Sequence, residues 1–104
     1  MKRNLYTKDE VILCSFIARY GRRDFDENDI HKLNGRSISS IKMKVQNIAS
    51  MLYEEGFNVH PEVSKLTGKP PGEKGRRTNW DLVGSLTNLS KNELLLICQS
   101  IIKV

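Results

Sequence analysis

Apolar residues recur at helical spacing along most of the chain, and the first such stretch follows Thr7. Thr7 and Glu10 have the spacing of a capping box, in which each side chain accepts a hydrogen bond from the other residue's backbone amide. The apolar residues that follow cover most of the helix circumference as far as Gly21, which favours a helix end. We therefore predict a helix over residues 7–20 and expect it to be the most buried helix.

A short helix is predicted before the dipeptide Asn34-Gly35. The dipeptide suits a tight turn, because both residues tolerate positive φ. Asp26 or Asn28 can cap the short helix, since a side-chain oxygen there can accept from the free amides of the first turn. We expect Ile30 and Leu33, which lie on this helix, to face the core.

A longer helix is predicted over residues 37–54, with Ser37 as its N-cap. Its apolar residues recur at helical spacing and form a stripe that we expect to be buried: Ile38, Ile41, Val45, Ile48 and Leu52. A short helix, a turn with glycine and a longer helix form a helix-turn-helix arrangement. The helix over 7–20 completes a three-helix core, which we assign to residues 1–56.

The side of the longer helix opposite the stripe carries short polar groups with cations at its margins. At about 100° per residue it consists of Ser39, Met43, Gln46, Asn47 and Ser50, and Lys42 and Lys44 flank it. A base-reading helix needs this layout, with polar side chains to base edges and lysines to phosphates. A solvated face of a core helix explains the same pattern, and the helix alone does not separate the two interpretations.

Residues 57–78 differ from the helical stretches, because all three prolines and several glycines lie there. We predict a loop or wing. It is basic through Lys65, Lys69, Lys74, Arg76 and Arg77. A loop of this composition is either solvated or a contact to DNA phosphates.

Residues 79–104 return to helical patterning. Thr78 or Asn79 can cap a short helix in which Trp80, the only tryptophan, is a core anchor. Ser90 and Glu93 have the spacing of another capping box, and the very apolar helix after them is either core or a partner interface. The predicted fold is therefore a single mainly α domain over 1–104, with a helix-turn-helix core, a basic wing-like loop and an additional C-terminal helix.

The charge distribution favours nucleic acid as a partner. The chain has 17 basic and 12 acidic residues, a net charge of +5 and a pI near 9.4. Such a basic balance makes nucleic-acid binding a fair hypothesis without establishing it. No acidic residue occurs between Asp29 and Glu54. All formal charges in that stretch, which contains the predicted base-reading helix up to its last residue, are therefore positive.

Several other classes of protein are disfavoured. Cys14 and Cys98 lie in apolar runs and are expected to be buried thiols, which suggests neither a disulfide framework nor a zinc site. No apolar run has the length of a membrane span, and no signal peptide is recognisable, so a cytoplasmic setting is expected. The two histidines are isolated, no catalytic constellation can be assembled, and we predict no enzyme, metal or cofactor.

The run from Leu33 to Leu52, with Val63-Ser-Lys-Leu and Asn79-Trp-Asp-Leu-Val after it, resembles the N-terminal region of bacterial HNH-type restriction endonucleases. Those regions typically read Gly-Arg-(Ser/Thr)-x-x-Ser-(Val/Ile)-x-Met-Lys-(Leu/Val)-x-Asn. The opening of the family is similar to Tyr6-Thr-Lys-Asp-Glu, so the resemblance covers about residues 6–84. The positions that match the motif are Arg36, Ser40, Lys42, Lys44 and Asn47.

In this family the region is a DNA-recognising or accessory module, and a C-terminal HNH domain performs catalysis. No such domain is recognisable here, so the resemblance implies binding without cleavage, in a bacterial or phage setting. We predict that the helix over 37–54 enters the major groove of double-stranded DNA. Ser39, Ser40, Met43 and Asn47 would face bases. The predicted phosphate-contacting cations are Arg36, Lys42, Lys44, Lys69, Lys74, Arg76 and Arg77.

A protein-interaction module is the rival interpretation. It would be an accessory part of a nuclease or a phage-bacterial defence system, and would use the apolar face of residues 94–102 and Met43 to contact a partner or a second copy. A Met in the middle of a polar face favours this rival, because Met suits adaptable surfaces. The two interpretations differ in salt dependence, which is steep for DNA binding and weak for an apolar interface.

Overall fold

The structure is a computed structural model that describes residues 6–61, 63 and 79–102. Within these residues the chain forms α1 (Lys8–Tyr20), α2 (Glu27–Asn34), α3 (Ile38–Glu54), α4 (Trp80–Leu86) and α5 (Lys91–Ile102), and no strand. The predicted mainly helical fold class is confirmed. A short helix, a glycine turn and a longer helix follow one another in α2 and α3, but their assignment as a DNA-binding helix-turn-helix stays a prediction.

Four helices begin at caps that the sequence predicts. The Thr7 hydroxyl accepts from the Glu10 amide at 3.1 Å, and the Thr7 amide donates to Glu10 Oε1 at 2.8 Å. Capping boxes also start α2 at Asp26 and α5 at Ser90. The Ser37 hydroxyl accepts from the backbone amide three residues on, at the start of α3. These bonds satisfy amides that a helix leaves unpaired at its N-terminus.

Helix α1 is the centre of the fold, as predicted. Every residue from Glu10 to Ala18 is buried, and α1 packs against all four other helices. A single hydrophobic cluster joins the helices around it, and its residues outside α1 include Phe25, Ile30, Ile41, Val45, Ile48, Leu52, Val83, Leu86, Leu94 and Cys98. Trp80 is half-buried against this cluster, in agreement with its predicted role as an anchor.

Two expectations about individual side chains are wrong. Leu33 is 40% exposed, because Glu27 and Ile30 define the buried side of α2 and Leu33 lies about 60° beyond Ile30. Ser50, which was predicted on the polar side of α3, is buried. Asn79, one of the two predicted caps of α4, occupies the N-cap position with a left-handed backbone (φ 67°) and makes no side-chain hydrogen bond to the helix.

The predicted basic loop lies largely outside the described residues. This holds for Lys65, Lys69, Lys74, Arg76 and Arg77 and for the alternative cap Thr78. The described start of the segment, residues 57–61, returns to α1, where the His60 amide donates to the Ala18 carbonyl at 3.0 Å.

Both cysteines are free and fully buried, as predicted. Burial raises the pKa of the Cys98 thiol to about 12 and raises the pKa of Cys14 as well. We therefore expect native protein to react with Ellman's reagent at least about a hundredfold more slowly than denatured protein near neutral pH. A thiol that reacts rapidly in the native state would contradict the burial, and a Cys14→Ala variant would identify which thiol it is.

Two glycines at helix ends give a matched stability test. Gly21 has φ 89° and ψ −168°, and a Cβ there would lie 2.9 Å from His60 Nε2. Gly35 has φ 78°, with no atom within 4 Å of such a Cβ. In urea unfolding we expect Gly35→Ala to lower the free energy of unfolding by about 1 kcal/mol and Gly21→Ala by about 2–3 kcal/mol. Equal losses would show that His60 does not pack on Gly21.

Candidate nucleic-acid interface

The first half of α3 presents an exposed polar side directly after the Gly35 turn. Ser39, Lys42 and Met43 are exposed, with Met43 at 57%, and Gln46 and Asn47 beside them are half-buried. At 100° per residue these five side chains occupy a sector of about 140°. The structure therefore brings together most of the side chains that the sequence assigned to bases, with one lysine at the edge of the sector.

A buried carboxylate on α1 holds the turn that precedes this side. The Glu10 side chain is fully buried and accepts from Arg36 twice, from Nε at 2.8 Å and from Nη2 at 2.9 Å. His31 Nδ1 donates to the Arg36 carbonyl at 2.7 Å. The Arg36 side chain is only 14% exposed, so the prediction that its guanidinium is available to a phosphate is wrong. The reason is that a buried carboxylate needs a charged, hydrogen-bonding partner.

Tyr6 connects the same ion pair to the backbone of α3. Its hydroxyl donates to the Ser40 carbonyl at 2.8 Å and lies 2.6 Å from Ser40 Oγ. The Arg36 guanidinium carbon lies 4.0 Å from the centre of the Tyr6 ring, within the range of a cation–π interaction. Ser40, which was expected to face bases, is thus half-buried and hydrogen-bonded inside the protein.

Lys44 is buried rather than exposed on the flank of α3. It is 6% exposed, and its ammonium donates to Asn79 Oδ1 at 2.8 Å and lies 5.2 Å from the centre of the Tyr6 ring. The prediction that it is a surface cation is wrong, because Lys44 and Lys42 are about 200° apart on the helix and Lys44 falls beside the apolar stripe. The Asn79 Oδ1 atom thus bonds to Lys44, and the Asn79 side chain makes no hydrogen bond to the start of α4.

The pKa values of the two inward-facing cations, Arg36 and Lys44, shift in opposite directions. The hydrogen bond to Glu10 raises the pKa of Arg36, so this guanidinium is charged at neutral pH. Burial lowers the pKa of Lys44. Arg36 and Lys44 both lie inside the protein. Lys42 is thus the one cation on α3 that is both assigned to DNA and exposed.

Sequence reasoning missed the junction of Tyr6, Glu10 and Arg36. Glu10 was recognised only as a capping residue, although a carboxylate directly before a long apolar run is a candidate for burial. The pairing spans 26 positions, and helical spacing carries no information over that distance. Tyr6 was noticed only as part of the opening that resembles the restriction endonucleases.

Comparison with known protein families, with curated proteins and with solved structures finds no match for this chain. The resemblance to HNH-type restriction endonucleases therefore stays a prediction. In the described residues no helix has both the length and the apolar character of a membrane span. The same part of the chain holds no group of three or more His, Cys, Asp and Glu side chains placed to bind a metal.

The ion pair predicts a difference between two cations that are close in sequence. Replacement of Arg36 by Ala leaves the buried Glu10 carboxylate without its partner, and we expect the free energy of unfolding to fall by about 3–5 kcal/mol. Replacement of the exposed Lys42 by Ala should change it by about 0.5 kcal/mol or less. Urea denaturation followed by circular dichroism measures both values. Similar values for the two variants would contradict the structural role of Arg36.

Proposed function

We propose that the chain is a non-catalytic module that binds double-stranded DNA through the exposed side of the first half of α3. The proposal is supported by the set of side chains on this exposed side of α3. This side is a 140° sector with hydroxyl and amide groups, one exposed Met and one edge cation, in a stretch without acids. Helices that bind in the major groove use such side chains on their N-terminal residues.

In this proposal Ser39 and Asn47 hydrogen-bond to base edges, and Met43 contacts thymine methyl groups. Lys42 binds a backbone phosphate at the margin of the groove. Further phosphate contacts come from the basic loop, through Lys69, Lys74, Arg76 and Arg77, which lie outside the described residues. Arg36, Ser40 and Lys44 support the helix from the inside, and we no longer assign them to DNA.

The distribution of charge along the chain also favours DNA binding. From Ile30 to Tyr53 the chain contains no acid, so the proposed surface carries no charge that repels phosphate. The net charge of +5 attracts DNA from a distance at low salt. The resemblance to the restriction endonucleases supports DNA as the partner and a bacterial or phage setting, and we assign no catalytic residue.

Two lysines two residues apart test the proposal. We expect Lys42→Ala to weaken binding to every duplex sequence and to lower the slope of log affinity against log salt by about one, because one phosphate contact is lost. Lys44→Ala should leave that slope unchanged, since its ammonium is turned inside. Fluorescence anisotropy with a labelled random duplex at several salt concentrations measures both slopes. An unchanged slope for Lys42→Ala with the fold intact would reject the proposed surface.

A protein-interaction module is a second candidate function, and the exposed apolar residues of α5 favour it. Leu96 is 67% exposed and Ile97 is 37% exposed, although each lies in a helix whose Leu94 and Cys98 are fully buried. An apolar contact of this kind would depend weakly on salt. Absence of binding to methylated and unmethylated duplexes at low salt, together with self-association that Leu96→Glu abolishes, would favour this function over DNA binding.

A further inference from the structure

A second group of cations lies at the C-terminal end of α1, at the opposite end of the helix from Glu10. A cavity of about 330 Å³ opens there, lined by Arg19, Tyr20, Arg22, Arg23, His60 and Lys91. Three segments that are far apart in sequence contribute to it, namely residues 19–23, the return segment at 60 and the start of α5 at 91. None of these residues belongs to the proposed DNA-binding surface.

The positive charge of this cavity is only partly balanced within the described part of the chain. Arg22 pairs with Glu27, which accepts from Nε at 2.9 and 3.0 Å and from Nη2 at 2.9 Å. No described carboxylate lies within 4 Å of the charged nitrogens of Arg19, Arg23 or Lys91. Three cations therefore face one cavity without a counter-charge from the part of the chain that the structure describes.

The guanidinium of Arg19 is the clearest sign of a missing partner. It lies between two rings, 5.0 Å from the centre of Tyr20 and 5.9 Å from that of Phe57. Its Nε and Nη1 atoms are buried and have no hydrogen-bond partner among the described residues. A buried N–H group without an acceptor is rare and unfavourable, and the dipole at the end of α1 attracts the charge but does not supply an acceptor to these atoms.

The walls of the cavity are held in place by contacts of their own. The His60 ring packs directly on Gly21, and its backbone amide is hydrogen-bonded to Ala18. The Lys91 ammonium lies 5.5 Å from the centre of the Tyr20 ring. Donors that are positioned before a ligand arrives lose little entropy on binding it.

We propose that this cavity binds a phosphate group. A phosphate offers several acceptor oxygens and up to two negative charges, which match the planar guanidinium groups of Arg19 and Arg23 and the ammonium of Lys91. A small rotation of the Arg19 side chain toward the anion supplies the acceptor that its N–H groups lack. The phosphate belongs either to a free phosphorylated small molecule or to the backbone of a nucleic acid. The inference does not depend on the function proposed for α3.

Titration of the full-length protein with inorganic phosphate tests the site, with sodium chloride at equal ionic strength as the reference. In ¹H–¹⁵N correlation spectra we expect saturable shifts at the amides of residues 19–23, 60 and 91 with phosphate and not with chloride. The double variant Arg23→Ala/Lys91→Ala should weaken phosphate binding by about tenfold. The control Lys8→Ala/Lys32→Ala removes the same charge from exposed sites outside the cavity and should leave the affinity unchanged.

Identical effects of phosphate and chloride, or equal weakening by the cavity variant and the control, would overturn the proposal. Dispersed spectra of both variants verify that they fold. A duplex-binding assay then identifies the source of the phosphate. A fall of about two in the salt slope for the cavity variant would assign a nucleic-acid backbone, and an unchanged slope a free phosphorylated molecule. If the α3 surface does not bind DNA, the phosphate titration still tests the cavity, because the cavity does not include residues of α3.

Discussion

The buried carboxylate of Glu10 is the constraint on which the arrangement of α1 and α3 depends. An ionised group with no exposure is tolerated only when charged donors surround it, and here Arg36 provides two hydrogen bonds and the Thr7 amide a third. Because Arg36 lies in the turn before α3, this requirement fixes where the helix starts. Tyr6 adds two polar contacts to Ser40 and so orients the first turn of α3.

The three cations at the start of α3, Arg36, Lys42 and Lys44, fall into two groups with different tasks. Arg36 and Lys44 serve the interior, where one neutralises Glu10 and the other connects α3 to Asn79. Lys42 stays outside, at the edge of a side formed by Ser39, Met43 and their neighbours. A basic sequence is therefore a poor measure of a basic surface. The proposal of DNA binding depends on the few cations that remain exposed and on those of the predicted loop over 57–78.

Periodicity and capping chemistry predict the fold well, because both act within one or two helical turns. Thr7, Asp26, Ser37 and Ser90 begin their helices as expected, and α1 is central because its apolar residues surround it. The candidate site is less predictable. A helical wheel places Met43 on the outside and Lys44 beside the apolar stripe, but the partners of Lys44 and Arg36 are 35 and 26 residues away. Local patterns do not identify such partners.

Mapping of a duplex onto the protein tests the central claim most directly. The ¹H–¹⁵N correlation spectrum and the methionine-methyl ¹H–¹³C correlation spectrum of the full chain would be recorded at low salt, with and without a short random duplex. We expect the largest changes at the amides of residues 37–47 and of the loop, and we expect the exposed Met43 methyl group to shift while the buried Met51 methyl group does not. Changes confined to α5, or no changes at any salt concentration, would contradict that claim.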